Sequence, residues 1–362
     1  MTTARNRAID ELRRDRRLRE QQPRLDAEQR LAREAEAETE TTSPENDIED
    51  DRLRLIFVCC HPRLPREGQV ALTLRVLGGL STEEIAGAFL IPETTAAQRI
   101  VRAKRAIRDR RIPYRVPDAA ELPERLPAVL DVLYLIFNEG YATRAGAEPL
   151  RGALCDEAIR LARLLADGMP QEPEAAGLLA LLELQASRQS ERSDARGELV
   201  LLEDQDRSRW DRVRIERARR LIARAIAGGE GGPYLLQAAI AECHAVAPSL
   251  EATNWRRIRG LYDALARATR SPVVELNRSV AIGMVEGPEA ALAAIDRIAD
   301  DPKLRDYPLL PATRADFLRR LGRREDAARA YRLAISLTAN RAERAFLERR
   351  LAECADALSS NR

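Results

Sequence analysis

The stretch Leu80-Ser81-Thr82-Glu83-Glu84-Ile85-Ala86-Gly87-Ala88-Phe89-Leu90-Ile91-Pro92-Glu93-Thr94-Thr95-Ala96-Ala97-Gln98-Arg99-Ile100-Val101-Arg102-Ala103-Lys104-Arg105-Ala106-Ile107 decides the fold of this 362-residue chain. Ser81 followed three residues later by Glu84 is a capping box: the hydroxyl accepts from the Glu84 N–H, and the carboxylate reaches back to the Ser81 N–H. A short helix from Glu83 to about Phe89 is predicted, burying Ile85, Ala86 and Phe89. Pro92 suits a turn or a first helical position. From about Thr94 to Arg110 a longer helix follows, in which Ala96, Ile100, Ala103 and Ile107 recur at four, three and four residues and form one buried stripe.

Thr95, Gln98, Arg99, Arg102 and Arg105 fall on another face of this second helix, with Lys104 and Arg108 beside them and Thr94 at its start. Glu93 to Arg115 holds eight basic and two acidic residues, a local charge of +6. Short helix, short turn and basic helix make a helix-turn-helix, whose second helix offers polar groups to base edges and arginines to phosphates. The bland alternative is a solvated basic face on an ordinary helical hairpin. The expected DNA-binding residues are Thr94, Thr95, Gln98, Arg99, Arg102, Lys104 and Arg105.

Upstream, Leu53-Arg54-Leu55-Ile56-Phe57-Val58-Cys59 is apolar enough for a buried helix, closed by Pro62 and Pro65. A helix from about Gln69 to Leu77 stops at Gly78-Gly79. Ordered structure is expected to begin at Ile48. Residues 34–51 carry nine acids and no base, with too little apolar surface to fold, so 34–47 reads as a linker. Residues 1–33 hold ten arginines against six acids. Five cysteines at scattered positions argue against a disulfide framework and for a reducing compartment. Cys59-Cys60-His61 lacks zinc-site spacing, which leaves buried structural thiols.

Downstream, Pro113, Pro117, Pro123 and Pro127 mark a boundary. The expected domains are 48–115, a proline-rich linker over 116–127, and a helical region over 128–362. That last region is interrupted so regularly that repeats are expected. Leu321-Gly322 followed by Ala327-x3-Tyr331-x2-Ala334 is the second-helix pattern of a tetratricopeptide (TPR) unit, with Ala315 as the small residue of its first helix. Fainter copies surround Ala281, Ala158–Leu165 and Leu235–Ala247. Two polar clusters, Asn138-Glu139-Gly140-Tyr141 and Asp204-Gln205-Asp206-Arg207-Ser208-Arg209-Trp210, read as structural networks with Trp210 buried. His244, in an apolar run, reads as a core or groove histidine.

Composition narrows the function classes. The 60 basic and 58 acidic residues nearly cancel, so charge position carries more than the total. Aromatic residues are only 4% of the chain, and the abundance of Ala, Leu, Arg and Glu favours an all-α fold. No apolar run approaches the roughly 18 residues of a membrane span, and the expected location is the cytoplasm. No Walker A lysine motif, G-x-G-x-x-G or G-x-S-x-G is present. Neither a catalytic residue nor a metal or cofactor is expected, and the chain reads as a non-enzyme.

The segment Asp50–Arg111, through Leu80-Ser81-x2-Glu84-Ile85-Ala86 and Thr95-x3-Arg99-x2-Arg102-Ala103-Lys104, resembles region 4 of bacterial RNA polymerase sigma factors, most closely the extracytoplasmic-function (ECF) branch. Cys59-Cys60-His61-Pro62 and the tail motifs, including Ser271-Pro272-Val273-Val274-x-Leu276-Asn277-Arg278, are similar to ECF sigma factors with a TPR-like C-terminal extension. The resemblance covers nearly the whole chain. It implies a transcription initiation factor that binds the −35 promoter element and core RNA polymerase, with a regulatory protein as partner of the tail. The alternative is a TPR-like scaffold without autonomous sigma activity. Thr3–Arg14 looks like the last helix of sigma region 2, making 1–33 a remnant. The rest of region 2 would then precede Met1, through a start set too far downstream or a true truncation.

Overall fold

Residues 44–89, 91–141, 149–192, 194, 200–229, 231–338 and 341–359 are described by the structure, a computed structural model. The expectations for 1–33 and for most of the linker fall on residues 1–43, outside the described residues. The chain divides into two units, 1–50 and 51–362, and the packing that follows is that of the second.

Helix α1 spans Pro44–Cys59, so the last four residues of the stretch read as linker are helical. Pro44 falls at the first helical position, where its missing N–H costs nothing. Pro65, at φ −59°, leads into α2 (Arg66–Val76), which begins three residues before the expected Gln69. Helices α3 (Thr82–Ala88) and α4 (Glu93–Asp109) lie within a residue of their expected bounds.

The larger departure is at α5, Leu122–Tyr141. It starts inside the stretch read as a proline-rich linker, and both Pro123 and Pro127 lie in it. An interior proline costs about 3 kcal/mol. Against that, Leu126, Val129, Leu130, Leu133, Ile136 and Phe137 are all buried, each large side chain contributing about 1.5–3 kcal/mol. Burial wins, and the helix runs through.

There follow α6 (Pro149–Gly168), α7 (Pro173–Ala186), α8 (Arg212–Gly228), α9 (Pro233–Val246), α10 (Trp255–Thr269), α11 (Pro272–Glu286), α12 (Pro288–Asp296), α13 (Leu309–Arg320), α14 (Arg324–Leu337) and α15 (Arg341–Ser359). From α5 onward each helix packs on the next, with α7 also against α9. No strand occurs among the described residues, and the fold is all-α.

One apolar core runs without interruption from Leu53 to Ala245, so the segment 116–127 does not separate two cores. Ion pairs and hydrogen bonds cross the same boundary. The Arg125 guanidinium donates to the Phe57 carbonyl at 2.8 Å, and Arg66 lies 3.3 Å from Asp131. A further cluster, from Leu276 to Cys354, holds the C-terminal helices together. In it Gly322, at φ +73°, makes the left-handed turn between α13 and α14, a conformation open to glycine at no steric cost. Ala315, Ala327 and Ala334 are fully buried around Tyr331.

The polar cluster at 204–210 is a joint between helices. Arg207 is buried and donates to the carbonyls of His244 (2.8 Å) and Ala247 (3.0 Å) at the end of α9. Asp206 accepts from the Ser208 N–H and hydroxyl, Trp210 is buried, and Asp211 caps α8 by accepting from the amides of Val213 and Arg214. All five cysteines are free and buried. Among the described residues no helix is long and apolar enough to cross a membrane.

Candidate nucleic-acid interface

The site is built on α3 and α4. The capping box forms in full: Ser81 Oγ accepts from the Glu84 N–H at 3.0 Å, and Glu84 Oε2 accepts from the Ser81 N–H at 2.6 Å. It starts α3 at a defined residue, and α3 then buries Ile85 and Ala86, with Phe89 half-buried just beyond it. Pro92 sets the entry into α4. Ala96, Ile100 and Ala103 face the core, and Ile107 is half-buried at the far end. Where α2 crosses α4, a Cβ at Gly68 would sit 3.3 Å from the Ala103 methyl. Small residues on both helices allow that approach.

Opposite the buried stripe, the positions pointing outward are Thr94, Gln98, Val101 and Arg105, at spacings of four, three and four. Thr94, Gln98 and Arg105 are exposed. Arg102 is exposed on one flank of this stripe, and Lys104 and Arg108 on the other. Thr95 and Arg99 are half-buried, turned toward the neighbouring helices. Val101, 63% exposed, was not among the residues expected from sequence. It reads as a stray apolar residue between polar ones, but its spacing from Gln98 and Arg105 places it on their line. An exposed valine there suits contact with a thymine methyl group.

Electrostatically, α4 is a cationic edge. Arg105 and Arg108 share one carboxylate, Asp109, at 3.2 and 3.7 Å. Arg99, Arg102 and Lys104 make no ion pair or side-chain hydrogen bond among the described residues, so three cations keep their donors for a ligand.

Nearby, His61 is buried, and its Nδ1 accepts from the Arg63 N–H at 3.0 Å. Burial, with Arg125 and Arg63 close by, pulls its imidazole down to about 4. Cys60 Sγ lies 3.5 Å from Thr73 Oγ1, and burial raises the thiol to about 12. The Cys59-Cys60-His61 run is packing, and among the described residues no cluster of His, Cys, Asp and Glu could hold a metal ion.

A feature that sequence reasoning missed lies on α6. Arg160 Nη2 donates to the Leu77 carbonyl at 2.9 Å, in the turn between α2 and α3, while Glu157 holds the same guanidinium at 2.7 and 2.8 Å. A residue 83 positions downstream therefore braces the helix pair. Nothing local in the sequence pairs Arg160 with Leu77.

Fold and site together define an all-helical protein carrying a sigma-70 region 4 helix-turn-helix. The family model described as "Sigma-70, region 4" matches residues 54–107, and one described as "Family of unknown function (DUF6596)" matches residues 125–226. The chain belongs to the family of "Uncharacterized protein R00370" of Rhizobium meliloti (strain 1021), with which it is 48% identical over 302 residues, 83% of this chain and 71% of that one. It is also 43% identical over 68 residues to the ECF RNA polymerase sigma-E factors of Salmonella typhimurium (strain LT2) and Escherichia coli (strain K12). That match takes in 19% of this chain and 36% of each of theirs.

Proposed function

We propose that this chain is an ECF-type sigma factor: a cytoplasmic, non-enzymatic protein that directs core RNA polymerase to promoters by laying α4 in the major groove of the −35 element. Gln98, Val101 and Arg102 face bases, while Arg105 and Lys104 contact phosphate oxygens. Thr94, Thr95 and Arg99 position the helix start. The observation that carries this reading is the outward stripe of α4, polar and cationic directly opposite a fully buried stripe, on a helix whose partner is capped and braced. The helices after α5 form a TPR-like regulatory region in which a partner protein docks. The burial of Ala315, Ala327, Tyr331 and Ala334 supports that part.

The test is duplex binding followed by fluorescence anisotropy at several salt concentrations. A chain that contacts several phosphates gives a log–log slope of several units. Arg102→Ala is expected to weaken binding about tenfold, since a good arginine–base contact contributes about 1–3 kcal/mol of discrimination. Unchanged affinity in both Arg99→Ala and Arg102→Ala would remove α4 from the interface. It would favour instead a TPR-like scaffold without autonomous sigma activity.

A further inference from the structure

Helix α8 is more basic than the helix proposed to read DNA. It holds six arginines and one acid, Glu216, for a charge of +5, whereas α4 has five basic and two acidic residues, for +3. Its buried stripe is Ile215, Ala218, Ile222 and Ala225. Directly opposite, at spacings of four, three and four, stand Val213, Arg217, Arg220 and Arg224, with Val213 68% exposed and Arg220 80% exposed. Arg217 places one nitrogen 3.0 Å from Glu183, and Arg220 is 3.6 Å from Glu216. Arg224 has no ion pair or hydrogen bond among the described residues.

Arginines three and four apart on a helix surface repel one another. On α8 itself such repulsion is relieved in one place, where Glu216 pairs with both Arg219 and Arg220. No carboxylate does this between Arg217, Arg220 and Arg224. Arg224 keeps its whole fork, and Arg217 and Arg220, each held through one nitrogen by a carboxylate, keep further donors beside it, the donor geometry that suits phosphate oxygens.

Its position points to the same ligand as α4. Helix α6 lies between the two sites: Asp156 is 3.8 Å from Arg214 of α8, and the next residue, Glu157, holds the Arg160 side chain that reaches the turn before α3. A duplex held by α4 is stiff over about 150 base pairs and extends past α4 in both directions. Past α4 such a duplex offers further phosphates to a basic face of the same unit.

We propose that the Arg217–Arg220–Arg224 face of α8 is a second nucleic-acid surface, contacting the phosphates of duplex DNA beyond the stretch held by α4. It carries no base readout. The inference rests on the DNA-binding reading of α4 given above.

The experiment compares the full-length chain with Arg220→Ala/Arg224→Ala on a duplex of about 40 base pairs, by anisotropy across a salt series. The control, Arg305→Ala/Arg332→Ala, removes the same charge from exposed positions elsewhere in the chain. The expected result is a log–log salt slope lower by about 1–2 and an affinity about tenfold lower for the α8 pair, with the control unchanged. Loss of affinity in Arg102→Ala with none in the α8 pair overturns this inference alone. Equal loss in the α8 pair and the control also overturns it, because overall charge then explains the effect. A parent chain that binds no duplex overturns the reading of α4 and this inference with it. A second measurement uses Val213→Cys carrying a photo-crosslinker, to which the native thiols offer no competition because all five are buried. Crosslinking to the duplex is expected, and its absence in complexes that anisotropy shows to be formed overturns the proposal.

Discussion

Arg160 on α6 and Leu77 at the end of α2 are joined by a 2.9 Å hydrogen bond from guanidinium to carbonyl, which fastens the helical tail to the turn entering α3. A Cβ at Gly78 would come 3.4 Å from the Glu157 side chain, so the two segments approach closely there as well. With one core running beneath both, the α3–α4 helix pair is held by the tail and does not hang from it on a tether.

Removing that bond has a measurable cost. Hydrogen bonds from charged groups contribute about 1.5–3 kcal/mol, and the part-exposed Arg160 belongs at the lower end. Arg160→Ala is expected to lower stability by about 1.5 kcal/mol in urea unfolding, and an unchanged midpoint would show that the bond adds nothing to the core.

The capping box gives an independent figure. Ser81→Ala removes the acceptor for the Glu84 N–H and should destabilise by about 1 kcal/mol. Ser81→Asp, which keeps an acceptor at that position, should restore most of it. Equal urea midpoints for the two variants would contradict the cap.

Glu183 on α7 is fully buried and receives three arginines: Arg163 at 2.7 Å, Arg214 at 2.7 Å and Arg217 at 3.0 Å. Breaking a fully buried pair costs about 3–5 kcal/mol. Here the arginines reach water once released, so Glu183→Gln is expected to cost about 1–3 kcal/mol. Guanidinium unfolding of the two chains checks it, and a loss near zero would make this cluster surface decoration.

The histidines make stability depend on pH. His244 packs edge-on against Trp255, with ring centroids 5.2 Å apart. Burial, followed by Arg207 and Arg188, pulls it down to about 4, as burial does His61. In the unfolded chain both bind a proton near the ordinary value of about 6.5. Between those values the unfolded state holds more protons, so stability is complete above about 6.5 and is lost as the pH falls toward 4. His244→Phe keeps a ring beside Trp255 and should flatten part of that decline. An identical pH profile for the two chains would mean that His244 titrates normally.

Most of the helix pair was legible because its determinants are local. The Ser81–Glu84 box spans three residues and the Ala96–Ile100–Ala103 stripe two turns, so capping and periodicity locate α3 and α4 to within a residue. The burial of Ala315, Ala327, Tyr331 and Ala334 followed from the same kind of pattern. Proline punctuation misled at 116–127, because the penalty at Pro127 is local while the compensating burial of Leu126, Leu130 and Leu133 comes from helices far along the chain. Val101 is not legible from residue type, because its place on the line of Gln98 and Arg105 follows from angular position on α4.

By itself, then, the sequence determined where helices α3 and α4 begin, which faces they bury and where positive charge collects. Those properties depend on hydrogen bonds and side chains within about four residues of one another. Only the tertiary structure decided that the tail braces the pair through Arg160 and Leu77, that Glu183 gathers three arginines, and that α8 turns a second cationic face outward. Each of those joins residues 20 to 83 positions apart or depends on which face a helix has left unburied. Sequence spacing carries no record of such contacts.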